Sequence, residues 1–307
     1  MNFFQKSIFF GLSFLFYSFA AQADVKTDIK VVTTIKPLHS LISRIMESRG
    51  EPQLIIEGTN NPHTFVFKPS HAEMLEEADI VFWIGEDLEA FMEKPLDSLA
   101  KNAKKIAFME SESIEKLKFR EKNIFDDHDD HDDHDDHKHG EFDAHIWLDP
   151  ENAKEMVKII RDELIKIDPE GQRQYSVNTA GATLELDNLI NNVEKELSKD
   201  ISYVVFHDAY QYFETRFGVT SAGALTLNPD VLPGAKQIAD IQDLIRDKGI
   251  KCIFSEPQYN PKIIETLGND MNISTGVMDP LGAFIEEGPS MYGELINGIT
   301  NSIKECH

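Results

Sequence analysis

"PEGQRQYSVNTAGATLELDNLINNVEKELSK", residues 169–199, decides how this chain is put together. Beyond Pro169 the stretch holds no proline, and Tyr175, Ala182, Leu186, Leu189, Val193 and Leu197 recur at helical spacing. A helix of about 30 residues would reach ~45 Å, which is long for a globular element. Two shorter helices broken near Gly181 are the plainer alternative. On both sides of the stretch, β-rich runs alternate with helical patterns, so it reads as a helix linking two lobes. A helical connection in place of a Gly/Ser-rich one implies limited hinge motion.

Working outward, the N-terminal side predicts strands at Ile29–Ile35, Gln53–Glu57, Asp79–Ile84 and Lys105–Met109. Helices are expected at Pro37–Ser48, Ser70–Glu77 and Glu86–Ala100. The rhythm restarts with strands at Ser202–Phe206, Ser221–Leu225, Lys251–Ser255 and Asn272–Val277. Helical patterns at Ala209–Phe217, Ala235–Lys248, Pro261–Asn269 and Pro289–Lys304 separate or follow them. This is the pattern of βα units. The expected class is therefore α/β, with two lobes that each hold a mainly parallel four-stranded sheet flanked by helices. Asp149-Pro150-Glu151-Asn152 reads as an N-cap with proline at the first helical position, ahead of the periodic Met156, Val157, Ile160, Leu164 and Ile167. The expected division is an N-terminal lobe over 24–168, a linking helix over 169–199 and a C-terminal lobe over 200–307.

Residues 1–23 read as a signal peptide: Lys6, the apolar Ile8–Ala20 and the small-residue site Ala21-Gln22-Ala23. The apolar run is shorter than the ~20 residues a membrane span needs, which weighs against an uncleaved anchor. Export to a periplasm-like space follows. In such an oxidising compartment the two cysteines, Cys252 and Cys306, are expected to form one disulfide that pins the C-terminal helix to the sheet. The formal net charge of −24 repels nucleic acid and attracts cations.

Three histidines sit where a site would be built. His63 follows the second expected strand, His207 follows the run Tyr203–Phe206, and His145 precedes Ile146-Trp147-Leu148. Open α/β sheets bind ligands beyond the carboxyl ends of their strands; His63 and His207 stand at such ends, one in each lobe, which places a site in the cleft between the lobes. Three imidazoles suit a borderline metal such as Zn²⁺ better than hard cations. Asp279, after the last expected strand, is a candidate fourth ligand. His39 and His71 fall on expected helices and read as structural. The tract around residues 123–142 repeats Asp-Asp-His and carries His128, His131, His134, His137 and His139. It has no apolar face, so it is expected to be a loop that holds metal more weakly than a fixed cleft; a solvated acidic spacer is the plainer reading. There is no H-E-x-x-H, no G-x-S-x-G and no phosphate-binding P-loop, so a zinc hydrolase is disfavoured and any ATPase must be another chain.

At these residues the chain resembles the periplasmic solute-binding proteins of zinc-uptake ABC transporters, over essentially its whole exported length. The resemblance rests on Thr33-Thr34-Ile35-Lys36-Pro37-Leu38, Pro62-His63 with Lys68-Pro69-Ser70, His145-Ile146-Trp147-Leu148-Asp149-Pro150 and Phe206-His207-Asp208-Ala209-Tyr210. It continues through Leu227-Asn228-Pro229-Asp230 with Pro233-Gly234, Phe254-Ser255-Glu256-Pro257-Gln258 and Met278-Asp279-Pro280-Leu281-Gly282. It implies zinc as cargo, His63, His145 and His207 as ligands, and either Asp279 or water in the fourth position. It also implies a non-enzymatic monomer that hands zinc to a membrane permease and its ATPase, with other periplasmic zinc carriers as further partners. The five tract histidines become auxiliary ligands. Manganese-type relatives usually carry Glu at the position of His207, so a manganese- or iron-binding member is the alternative that His207 argues against.

Overall fold

The computed structural model describes residues 29–125, 140–227, 229 and 231–306. The expected signal peptide, His307 and the tract histidines His128, His131, His134, His137 and His139 lie outside the described residues.

The first lobe runs β1 (Val31–Thr33), α1 (Lys36–Met46), β2 (Gln53–Leu54), α2 (Pro69–Glu77), β3 (Ile80–Trp83), α3 (Glu86–Glu89), α4 (Glu93–Ser98) and β4 (Lys104–Ala107). Its sheet has the order β2-β1-β3-β4, with every pair parallel. Helices α5 (Pro150–Ile167) and α6 (Gln172–Glu196) follow. The second lobe holds β5 (Ser202–His207), α7 (Gln211–Phe217), β6 (Thr220–Thr226), α8 (Ala235–Lys248), β7 (Cys252–Ser255), α9 (Lys262–Met271), β8 (Ser274–Val277) and α10 (Met291–Lys304). Its order is β6-β5-β7-β8, again all parallel. Central strands read as unbroken apolar runs because helices cover both faces of a parallel sheet: Ile80, Val81, Phe82 and Trp83 are all buried. Among the described residues no helix is long and apolar enough to cross a membrane.

One expected helix is broken. In place of a continuous Glu86–Ala100 the chain makes α3, a 3-10 turn at Ala90–Met92, and α4. Pro95 explains this. It has no N–H to donate to the preceding turn, so it fits only near the start of a helix, and α4 restarts at Glu93. The break leaves Glu89 at the end of α3, fully buried, accepting hydrogen bonds from the amides of Ile84 (2.9 Å) and Gly85 (3.1 Å) and from the Thr34 hydroxyl.

The linking helix α6 spans 25 residues, about 37 Å. A 3-10 turn at Pro169–Gly171 precedes it, so it starts later than proline alone would suggest. It passes Gly181 unbroken. A Cβ there would stand 2.6 Å from Arg44 Nη2, so the glycine leaves room for the Arg44–Glu185 ion pair at 2.8 Å. Asn178 Nδ2 donates to the carbonyls of Ile45 (2.9 Å) and Glu47 (3.1 Å), closing the C-terminal end of α1. Asp168 accepts from Arg49 (2.7 Å) and from the Tyr175 hydroxyl (2.6 Å). These contacts fasten α6 to the first lobe. At its other end Glu196 pairs with Lys304 of α10 at 2.6 Å. The expected disulfide joins Cys252, which opens β7, to Cys306 beyond α10.

Candidate metal centre

The segments that follow β2, β5, β7 and β8 converge on one small cleft that His63, His145 and His207 line. His207 is the last residue of β5. His145 precedes a 3-10 turn at Ile146–Leu148 whose indole Nε1, on Trp147, donates to Pro280 O at 2.8 Å in the opposite lobe. His63 sits beyond β2 in a turn where Asn61 Oδ1 accepts its backbone N–H at 2.9 Å. Phe65 packs with tilted rings against His71 and Phe91, seating that loop on the first lobe.

The three rings meet. Their centroids are 5.2 Å (His145–His207), 5.6 Å (His63–His145) and 5.9 Å (His63–His207) apart. One nitrogen from each lies within 4.8 Å of the others, and among the described residues no other His, Cys, Asp or Glu joins that group. His145 and His207 are buried, at 5% and 3% exposed.

Behind two of the rings stand carboxylates. Asp143 Oδ1 lies 2.7 Å from His145 Nδ1 and also accepts that residue's backbone N–H at 2.9 Å. Glu256 Oε1 lies 2.7 Å from His207 Nδ1 and 3.2 Å from His207 N. β5 and β7 are neighbours in the sheet, so the residue ending one faces the residue that follows the other. A carboxylate only accepts, so each Nδ1 carries the proton and each Nε2 turns a lone pair into the cleft. Those two Nε2 atoms are 3.3 Å apart. Two neutral imidazoles in that pose repel unless a cation lies between them. Tetrahedral zinc with Zn–N near 2.05 Å would set its nitrogens about 3.3 Å apart.

The local charge fits the same occupant. Asp143 Oδ2 is buried with no hydrogen-bond partner among the described residues. Burial resists protonation of His207, but Glu256, helped by Asp208 and Asp143, outweighs it and raises the imidazole pKa. Asp208 is itself pushed up to about 7, chiefly by burial, with Asp143 and Glu214 adding to the rise and Arg120 opposing it.

Asp279 is not brought into the group. Its Oδ1 accepts from Gln258 Nε2 and Leu281 N, each at 3.0 Å, and its Oδ2 accepts from Ala283 N at 2.5 Å. The carboxylate closes its own turn. His39 is held by Pro52 O (3.1 Å), and His71 accepts the Lys68 amide at the start of α2 (3.1 Å); both are structural, as expected. Sequence reasoning missed Asp143 and the supporting role of Glu256. Their only signals were an acid two residues before His145 and an acid directly after a strand.

The ZnuA family profile, described as the periplasmic component A of the zinc-uptake complex, matches residues 31–306. The high-affinity zinc uptake system protein ZnuA of Brucella abortus (strain 2308) is 42% identical over 303 residues, covering 90% of this chain and 91% of its own length. The protein of the same name from Yersinia pestis is 32% identical over 288 residues, covering 90% of each. Among solved structures, a crystal structure of ZnuA superposes with a TM-score of 0.76 at 22% identity, over 91% of this chain and 99% of that one. The Mn-bound periplasmic metal binding protein from Candidatus Liberibacter asiaticus gives 0.73 at 20% identity, over 91% of this chain and 100% of that one. At such identities these two are likenesses of fold. The profile match and the relatives above 30% identity carry the assignment: the chain belongs to the ZnuA family of periplasmic zinc-uptake components.

Proposed function

We propose that this protein captures Zn²⁺ in the periplasm through His63, His145 and His207 and releases it to the permease of an ABC transporter. The observation that carries the reading is the pair of Nε2 atoms 3.3 Å apart, each aimed by a carboxylate on the far side of its ring. Zinc favours imidazole nitrogen and four-coordination, and the fourth position is open to water, with Asp279 engaged in its own turn. An all-nitrogen group supports zinc over manganese, which prefers oxygen ligands. The protein's part is to hold the ion without transforming anything, as a monomer, while a separate ATPase drives the permease. Residues 1–23 direct export and are then removed. The tract histidines His128, His131, His134, His137 and His139 collect further zinc at lower affinity.

Competition titration of the mature chain tests this. One tight Zn²⁺ site should survive deletion of residues 126–139, which removes only the weaker sites, and should vanish in His207→Ala. Manganese displacing zinc at equal concentration would overturn the metal assignment. Loss of the tight site in the tract deletion would overturn the division of labour.

A further inference from the structure

Residues 117–125 cross from the first lobe to the second. Leu117–Phe119 pairs with Glu141–Asp143: the Phe119 amide donates to Glu141 O (3.3 Å), the Asp143 amide to Leu117 O (2.9 Å), and Lys118 bridges Phe142 antiparallel. The chain then leaves this ribbon and lies along the open edge of β6. The Phe125 amide donates to Ala222 O (3.0 Å), the Ala224 amide to Asn123 O (2.9 Å), and Ile124 bridges Gly223 antiparallel. Ile124 packs on the second lobe's apolar cluster under α8. The sheet thus gains a short antiparallel edge from the other lobe's chain, a strap that also covers an exposed row of backbone groups. Gly223 permits the approach, since a Cβ there would stand 2.5 Å from Asn123 O.

Arg120 fastens the strap beside the metal centre. Its Nη1 donates to Asp208 Oδ1 and its Nη2 to Glu214 Oε2, both at 2.8 Å, and the guanidinium lies 4.1 Å over the Phe125 ring. Asp208 and Glu214 are both 2% exposed. Asp208 follows the ligand His207 directly. Tyr212, between them, accepts the Leu117 amide (3.0 Å) and donates to Asp143 O (2.7 Å), the residue that orients His145. The strap is therefore tied to the neighbours of two of the three histidines.

Resting on the zinc-binding reading above, we propose that Arg120 is a positioning residue for the metal. By clamping the strap to Asp208 and Glu214 it holds the His145 ribbon and the His207 strand in register, and so lengthens the residence time of bound zinc. Paired fork contacts to two buried acids give the geometric precision that a single ammonium lacks.

The test uses the mature chain with Arg120→Lys, Arg120→Met and Gly223→Ala. Zinc release is followed with excess chelator, and exchange of the Phe125 and Ala224 amides is compared with amides linking β5 to β7. Wild type must bind zinc for the test to run; if it does not, the parent reading fails and not this one. Arg120→Met should speed release about tenfold, leave association within twofold, and expose the two strap amides while the β5–β7 amides stay protected. Arg120→Lys should fall between. Gly223→Ala dislodges the strap without removing any charge, so it keeps the test open if Arg120→Met fails to fold, and it should also speed release. Release at the wild-type rate from a variant whose strap amides exchange freely would overturn the proposal, as would strap amides that remain protected in Arg120→Met.

Discussion

Glu256 stands at the Nδ1 of His207, with its Oε1 2.7 Å away, while the ring's Nε2 faces His145. The contact joins the ends of two neighbouring strands and fixes which nitrogen of His207 faces His145. Removing the carboxylate leaves a buried N–H without an acceptor and frees the ring to turn. Glu256→Ala should weaken zinc binding about 10–100-fold, the usual cost of losing an orienting partner. Glu256→Gln retains an acceptor oxygen and should lose less. Competition with a chelator of known affinity measures both; wild-type affinity in Glu256→Ala would show that the ring needs no outer partner.

Proton competition follows from the same carboxylate. Zinc binds the neutral imidazole, and the pKa of His207 is raised above its ordinary 6.5. Burial resists the charge, but Glu256, Asp208 and Asp143 favour it more strongly. A raised pKa keeps the ring charged to higher pH. Zinc affinity should therefore already decline as pH falls through the region above 6.5, about tenfold per pH unit for each proton displaced. Titrations between pH 8 and 6 that give one constant affinity would contradict this.

Glu89 gives a stability test away from the metal. Burial pushes its carboxyl from 4.5 up to about 7, against the Thr34 hydroxyl and the amides of Gly85 and Ile84, which favour the anion. Between those pH values the folded state holds a proton that the unfolded chain has released. Stability from this group is thus full below pH 4.5 and is lost as pH rises through 7, by about 3 kcal/mol in all. In Glu89→Gln the amide oxygen can accept from Ile84 and Gly85 while its NH₂ donates to Thr34, and nothing titrates. Urea unfolding should find this variant close to wild type at pH 5 and about 1–3 kcal/mol more stable at pH 8. Equal stability at both pH values would place the ionised carboxylate in better company than its burial indicates.

What could be read beforehand was whatever depends on period and chain order. Alternating strand and helix patterns located both sheets, and strand ends located His63 and His207, because the carboxyl edge of a parallel sheet is a topological consequence of βα order. Contacts between distant segments were not legible. Nothing local marks Glu256 as the neighbour of His207, since that depends on β7 pairing with β5. The strap was hidden for the same reason: Asn123–Phe125 meets β6 about 100 residues away in sequence. Asp279 illustrates a local rival. Its turn, Asp279-Pro280-Leu281-Gly282, offers the Leu281 amide two residues on, and that hydrogen bond engages the carboxylate without any metal. Pro95 is a local signal too: a proline fits only the first turn of a helix, and the apolar period across Glu86–Ala100 runs through that restart without marking it.

The disulfide should matter to stability and little to zinc. Cys252 and Cys306 enclose a separation of 54 residues, for which loop-closure entropy sets a ceiling of about 4 kcal/mol. Cys252→Ala/Cys306→Ala should therefore lower unfolding free energy by about 2–4 kcal/mol. The bridge lies at the start of β7 and the far end of α10. Glu256 lies past the other end of β7, four residues on at about 3.3 Å each. The end of α10 near the cleft is held separately: Tyr292 N donates to Ser40 Oγ (2.9 Å) and the Tyr292 hydroxyl to Trp147 O (2.7 Å). Fraying would begin at the released end of α10 and meet these anchors before it reached the histidines. Zinc affinity within twofold of wild type is the expected result. A loss of tenfold or more in a variant that still unfolds cooperatively would mean that α10 shapes the cleft along its whole length, and that the anchors at Tyr292 do not isolate it.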